Sequence, residues 1–431
     1  MALFILIMLA YKPWASPNRL PIKHDVSGYY LYLPAILIHH EANAAFLTEH
    51  PEILHAGVFT YKQENGDGYI NKYPIGLAFA YLPFFLLAHV FALLFGYAAD
   101  GYSTPYIIAM TFHPIFYLGI GLYYLNKSLG LFFNKKVIVL TFLTFLFATN
   151  LFFYTTFMGN MPHVYLFTLL SIIIYYSIQW HSNPSLRNTA IIFLCVGLST
   201  IIRPTAIQFI LFPLLYNYKG LSNQFALLYS NRKNILLGSI AFILIVIALP
   251  IYWKVVTGSF IYYSYQKEGF SFLHPHLIEV LVGFKKGLLI YTPVLIFAFI
   301  SFKKFKQKTP SLFVASVVFL IIYIYVVASW HCWWYGGSFG MRALVETYAV
   351  LAFPMAAFYD SVLSKKKIHQ LGIGIIVVLF TALNLFQSAQ YLKSIIYFEG
   401  MNFKAYCYTF GKIHLSEKES NTLKDLLKEH E

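Results

Sequence analysis

The sequence predicts an all-α polytopic membrane protein, and three observations carry that prediction. Of 431 residues, 59% are hydrophobic and 11% are charged, less than half the charged share of a typical soluble domain, so too little polar surface exists to keep such a body in water. Aromatic residues make up 19%, a composition suited to a bilayer and its interfaces. Apolar runs of spanning length recur along the chain. A soluble enzyme, a disordered chain and a disulfide-stapled secreted domain are all excluded. Lys and Arg outnumber Asp and Glu by 31 to 17. In a soluble protein that excess would mark a nucleic-acid footprint; here it reports topology, and no nucleic-acid partner is expected. Cys195, Cys332 and Cys407 lie far apart without CxxC spacing, so neither a metal knuckle nor a disulfide framework is indicated.

A bilayer core takes about 20 apolar residues in a helix. Candidate spans fall at about 1–11, 104–125, 137–157, 162–180, 188–203, 205–217, 235–253, 287–302, 312–330, 343–361 and 371–390. The first and sixth are short for a crossing. No basic n-region or convincing small-residue cleavage site marks a cleavable signal. The stretch Pro74–Gly96 is apolar enough to cross but contains Pro74, Pro83 and His89. Basic residues decide how it is read. With this stretch re-entrant or interfacial, the connectors 126–136, 181–187, 217–234, 303–311 and 364–369 share one side, holding fourteen Lys or Arg and no acidic residue. The positive-inside rule makes that side cytoplasmic.

The expected architecture is therefore eleven transmembrane helices over residues 1–390 in a cell (inner or plasma) membrane, N-terminus cytoplasmic and C-terminus extracytoplasmic. Residues 12–103 form a long first outer loop with interfacial helices. Residues 391–431 form a short outer tail, with an amphipathic helix expected at Ser416–His430. No P-loop or internal repeat is present, so chemistry on this chain would draw on an activated substrate at the outer face.

The outer segments hold the chemistry-bearing positions. Asp25 follows the first span and precedes the Tyr-rich run with Tyr29 and Tyr30. From the residues alone its carboxylate reads first as a helix N-cap, and beside that as a general base. Lys72 stands before Pro74 at the start of an apolar helix, where the helix dipole disfavours a cation; an anionic partner or a snorkelling side chain accounts for it. The preceding Asp67-Gly68 reads as turn chemistry. His163 sits at the outer mouth of one helix and Arg203-Pro204 at the outer end of another, and a guanidinium there matches phosphate bidentately. Lys285-Lys286 is the one doubly basic step outside, read either as an anion contact or as plain surface charge. The most distinctive run is Trp330-His331-Cys332-Trp333-Trp334-Tyr335-Gly336-Gly337-Ser338-Phe339-Gly340-Met341-Arg342, followed by Glu346. An aromatic belt explains its Trp residues but not the Gly-rich half. The i,i+4 spacing of Arg342 and Glu346 allows an ion pair on a helix surface. No HxxxH spacing supports a metal, so a divalent ion remains possible without support and no cofactor is assigned.

Taken together, the Asp after the first span, Lys72-Tyr73-Pro74, Arg203-Pro204 and the Trp-to-Arg342 block resemble the GT-C superfamily of integral-membrane glycosyltransferases. The nearest likeness is to its protein O-mannosyltransferase and lipid A aminoarabinose transferase group, in a bacterial form, over most of the chain to about residue 390. The resemblance implies a polyprenyl-phosphate sugar donor, a lipid, glycan or protein acceptor, and a membrane-lipid environment. It implies Asp25 as the base, Lys72 near the donor phosphate, and Arg203 and Arg342 as further phosphate contacts, with inversion at the anomeric carbon. Lys286 is a further candidate for the phosphate. Trp333, Trp334, Tyr29 and Tyr30 are candidates to stack on sugar or isoprenoid. Many relatives place a second acidic residue in the second outer loop, but here that loop reads Met158-Gly159-Asn160-Met161-Pro162. His163, Asn160 or Glu346 would have to stand in. A transporter or flippase of lipid-linked glycans is the competing expectation, and a non-catalytic envelope subunit is a third. Transporters often show paired broken helices, a symmetry this sequence lacks.

Overall fold

The computed structural model describes residues 1–16, 19–50, 53, 59–63 and 68–428, so Asp67 and His430 lie outside the described residues. It is helical, with one two-stranded sheet among the described residues. Among the described residues, six helices are long and apolar enough to cross a membrane: Gly76–Phe95, Thr104–Leu129, Pro162–Ser182, Arg232–Thr257, Pro310–Ser329 and Lys367–Leu392. The chain is thus a helical protein of the membrane class. The Pro74–Gly96 stretch is one of these six, a continuous helix of 20 residues with Pro83 inside it. Alpha-carbon contacts divide the chain into two compact units.

The first unit comprises Met1–Tyr124, Tyr154–Leu214 and Tyr218–Glu268. It starts with α1 (Ala2–Tyr11) and α2 (Asp25–Leu37), followed by the antiparallel pair β1 (Thr60–Lys62) and β2 (Tyr69–Asn71), in which Tyr61 faces Ile70. Then come α3 (Gly76–Phe95) and α4 (Thr104–Leu129), whose last turns fall outside this unit. The bundle continues with α5 (Pro162–Ser182), α6 (Leu186–Ile202), α7 (Arg232–Val246) and α8 (Ala248–Thr257). Pro162 opens α5 at a position where its missing N–H costs nothing. Inside α5, the Thr168, Ser171 and Ser177 hydroxyls donate back to the carbonyls of Val164, Phe167 and Ile173, which hides their polarity in an apolar setting. Helices α6 and α7 approach closely because a Cβ on Gly238 would stand 2.8 Å from Thr189 Cγ2, the small-residue packing that joins helices in lipid.

The second unit comprises Leu125–Phe153, Leu215–Asn217 and Gly269–Glu431. Its helices are α9 (Lys135–Phe147), α10 (Leu277–Val282), α11 (Leu288–Tyr291), α12 (Ile296–Ile300), α13 (Phe302–Lys308), α14 (Pro310–Ser329), α15 (Tyr348–Leu363), α16 (Lys367–Leu392), α17 (Phe403–Thr409) and α18 (Glu417–Lys428). Buried α15 packs on α9, α12 and α13.

Several predicted spans are shorter or broken as helices. The 137–157 stretch is helical only to Phe147. There the Thr149 hydroxyl donates to the Phe145 carbonyl and accepts from the Leu151 N–H at 3.2 Å, a local side-chain alternative to the helical ladder. Residues 205–217 are a 3-10 turn, Pro204–Ile210, and a short helix, Leu211–Leu215. Pro293 breaks 287–302 into α11, a 3-10 turn and α12, since proline disfavours helix in the residue before it. In the tail, Ser416 and Glu419 form a reciprocal capping box at the start of α18, with the Ser416 N–H donating to Glu419 Oε2 at 2.9 Å.

Candidate functional site

Asp25 is the first residue of α2, and the cap position belongs to His24, which makes no side-chain capping bond. His24 has φ of 50°, a left-handed conformation uncommon for a residue with a side chain. A carboxylate in a helix's first turn faces the positive end of the dipole. Asp25 Oδ1 accepts a hydrogen bond from the Tyr73 hydroxyl at 2.7 Å. Burial, and then the Asp25 charge, push that hydroxyl well above the usual phenol range, so it stays protonated and donates. The Tyr73 ring reaches Asp25 because Gly28 leaves room: a Cβ there would lie 2.4 Å from Tyr73 Cδ2. Tyr29 adds its ring against Tyr73, with centroids 4.5 Å apart.

The turn after β2 presents Lys72 and Tyr73 in fixed directions, and buried Asn71 fixes it. Its Nδ2 donates to the Gly28 carbonyl at 2.6 Å, its Oδ1 accepts from the Tyr73 N–H at 3.0 Å, and its own N–H donates to the Tyr252 hydroxyl at 3.0 Å. Lys72 Nζ stands 2.5 Å from Glu268 Oε1 and 5.5 Å from the ring centroids of Phe59 and Tyr265. The Ser264 hydroxyl donates to the Lys72 carbonyl at 2.7 Å, which ties the 264–268 segment to the same turn.

Arg203 enters from the end of α6. Pro204 forces it into extended backbone, φ −147° and ψ 116°, and ends the helix there. Gly76, at the start of α3, lies against this helix end, where a Cβ would come within 2.3 Å of the Ile202 nitrogen. Half-buried Tyr265 lies near enough to Asp25, Glu268 and Arg203 to feel their charges. Burial raises its hydroxyl's pKa most, Tyr29, Asp25 and Glu268 raise it further, and Arg203 lowers it. The first unit thus brings Asp25, Tyr29, Lys72 and Arg203 into one polar cluster. Tyr30 and His163 are buried elsewhere in the unit. Tyr30 donates to the Gly101 carbonyl among Tyr81, Phe85 and Tyr102, and His163 packs edge-on to Tyr154 at 4.9 Å.

Sequence reasoning passed over Glu268. A stand-in for the second acidic residue is expected at His163, Asn160 or Glu346, whereas Glu268 comes three residues after the Tyr-rich run Tyr262–Tyr265. The signal was available: a lone acidic residue closing a Tyr-rich run, as Asp25 opens one.

The second unit holds the remaining candidates. Lys286 is only 2% exposed. Its ammonium donates to the Phe398 carbonyl at 2.7 Å and to the Ser338 carbonyl, which holds the Gly-rich block against the tail segment. Burial first, then Arg342, lowers its pKa to about 7. Lys285 Nζ sits 3.7 Å above the Trp334 ring, and Trp334 Nε1 donates to Glu399 at 2.9 Å. Trp333 stacks on His276 at 5.5 Å. Tyr335, Gly336 and Gly340 have positive φ; at Gly340 a Cβ would meet Tyr291 Cβ at 3.0 Å, so the close turn needs glycine. Arg342–Thr347 is a 3-10 turn, and buried Glu346 accepts from the Tyr323 hydroxyl at 2.6 Å. No group of three or more His, Cys, Asp or Glu among the described residues is placed to hold a metal ion. No protein-family model, curated protein or solved structure matches this chain.

Proposed function

We propose that this protein is a membrane glycosyltransferase of GT-C type that transfers a sugar from a polyprenyl-phosphate donor to an acceptor hydroxyl at the extracytoplasmic face. The same reading carries eleven crossings, N-terminus cytoplasmic and C-terminus extracytoplasmic, in the cell membrane. One observation supports it above the others. In a unit of mostly apolar helices, a carboxylate, an ammonium and a guanidinium gather around Tyr73 and Tyr265. Intramembrane or near-membrane charges are expensive and mark functional sites by default.

In this reading Asp25 takes the proton of the acceptor hydroxyl as its oxygen bonds to the anomeric carbon. The bond from that carbon to the phosphate oxygen breaks, and the leaving lipid phosphate keeps the electron pair. Lys72 and Arg203 stabilise that developing charge electrostatically. Lys72 reaches the phosphate by exchanging Glu268 for it. Arg342 is assigned to the donor phosphate on the resemblance. Lys286 is read as a clamp of the Gly-rich block, since backbone carbonyls already occupy it. Tyr29, Trp333 and Trp334 are assigned to stacking on sugar or isoprenoid.

The test is transfer by the purified chain in liposomes from a panel of radiolabelled polyprenyl-phosphate hexoses and pentoses to endogenous lipid extract. Asp25→Asn should lower transfer by about 10²–10⁴-fold with normal membrane insertion. Transfer at the wild-type rate by Asp25→Asn overturns the base assignment, and no transfer from any donor by the wild type overturns the reading.

A further inference from the structure

We propose that the first unit holds an anionic phospholipid at one membrane face, with the lipid phosphate at Arg232 and Lys233 and the acyl chains in the cavity that these two residues help to line. The inference rests on the membrane class of the chain and not on the transferase reading. The cavity measures about 730 Å³, and its apolar walls include Trp180, Ile192, Phe193, Leu214 and Leu236. At about 30 Å³ per water-sized group it has room for roughly two dozen carbons, about a dozen from each of two acyl chains.

The helices that build the cavity set its depth. Trp180 lies in the last turn of α5, Thr189 in the first turn of α6 and Arg232 at the start of α7, so three helix ends meet here. Arg232 opens the segment Arg232–Thr257, which is long and apolar enough to cross a membrane, and this sets both cations at head-group depth. Ser239, two turns further along α7, also lines the cavity, so the space extends about 10 Å along that helix. Fixed contacts hold the walls. Trp180 Nε1 donates to Thr189 Oγ1 at 2.9 Å, and His181 Nε2 stands 2.8 Å from the Pro213 carbonyl.

Charge selects an anion for the head. Arg232 and Lys233 both stand in the first turn of α7, where the helix dipole disfavours cations and favours an anion. The sequence has no Asp or Glu between Asp100 and Glu268, so the elements that wall the cavity supply no carboxylate of their own. Arg232 is already oriented: its guanidinium carbon lies 4.5 Å from the Tyr229 ring centroid, and Nη1 donates to the Tyr229 carbonyl at 3.1 Å. The guanidinium has further N–H donors for a phosphate. Beside it, Leu221, Phe225 and Tyr229 are exposed at four-residue spacing on the helix Leu221–Ser230. An apolar stripe next to basic residues is the pattern of a helix lying in the lipid interface.

The test uses the full chain in phosphatidylcholine nanodiscs with a rising fraction of phosphatidylglycerol brominated on its acyl chains. Bromine quenches indole fluorescence on contact, and the Trp180 signal is the difference between the wild type and Trp180→Phe. Quenching of that signal should half-saturate at about 10- to 30-fold lower mole fraction for brominated phosphatidylglycerol than for brominated phosphatidylcholine, each cation being worth about fivefold. Arg232→Gln combined with Lys233→Gln should abolish the preference, whereas the charge-matched pair Lys135→Gln with Lys136→Gln, outside the cavity, should keep it. Equal quenching by the two lipids overturns the proposal. So does equal loss of preference in both pairs, which would assign it to general surface charge. Relief of quenching by glycerol 3-phosphate as effectively as by unbrominated phosphatidylglycerol would mean a site for free phosphate and overturns it too.

Discussion

Tyr73 donates its hydroxyl proton to Asp25 across 48 residues of sequence, at 2.7 Å. The phenol is thereby the group that aims the carboxylate. Tyr73→Phe keeps the ring against Gly28 and Tyr29 and removes only that bond. Sugar transfer should fall about 10- to 100-fold, with the thermal midpoint changing little. A positioned carboxylate contributes about 10²–10⁴ in rate, and loss of aim forfeits part of it. Equal transfer by both proteins would show that Asp25 needs no such aiming.

Lys72 is held by Glu268 at 2.5 Å, and under the proposed function a donor phosphate has to displace that carboxylate. Removing the competitor without removing the cation should strengthen donor binding. Glu268→Gln is expected to lower the dissociation constant of a short-chain polyprenyl phosphate about 3- to 10-fold, measured by microscale thermophoresis. Lys72→Ala should weaken it. Unchanged affinity in both variants places the phosphate elsewhere.

Gly28 and Gly76 are positions where a methyl group has no room. At Gly28 the clash is with the Tyr73 ring, and at Gly76 it is with the Ile201–Ile202 backbone. Overpacking costs about 1–3 kcal/mol, so both alanine variants should melt lower. Their rescue should differ. Tyr73→Ala should restore much of the loss in Gly28→Ala, as expected for residues in contact, whereas no side-chain deletion relieves Gly76→Ala. Additive melting shifts for Gly28→Ala and Tyr73→Ala would overturn the proposed contact.

Lys286 provides a pH signature. Its folded pKa is lowered to about 7 from the ordinary 10.5. Between those values the unfolded chain holds a proton that the folded chain has released, so stability rises with pH across that window. Below about pH 7 both states are charged and the cost of burying the ammonium is fully present. The wild-type thermal midpoint should therefore climb between pH 7 and 10 more steeply than that of Lys286→Met. Parallel curves would mean that Lys286 keeps its charge when folded.

The membrane class was legible because it depends on summed composition, which no single contact can reverse. The long helices were legible for the same reason. Where the helix ladder gives way was harder to see. At 148–157 the sequence stays apolar while Thr149 offers the backbone another partner, and hydropathy does not register one hydroxyl. Asp25, Lys72 and Arg203 stood out because each is a charge beside a helix end in apolar surroundings. Glu268 did not, since its importance lies in a contact 196 residues away in sequence. The sequence leaves Lys286 open between an anion contact and plain surface charge; its burial against the carbonyls of Ser338 and Phe398 is not revealed by local sequence.

Asn71 has a consequence for how the cluster can respond to a ligand. Its three bonds fix the backbone immediately before Lys72 and the N–H of Tyr73. The two neighbouring side chains are thus decoupled. The ammonium can swing from one anion to another while the phenol keeps its bearing on the carboxylate. Exchange of anions at Lys72 and the aiming of Asp25 by Tyr73 can then proceed without either disturbing the other's geometry.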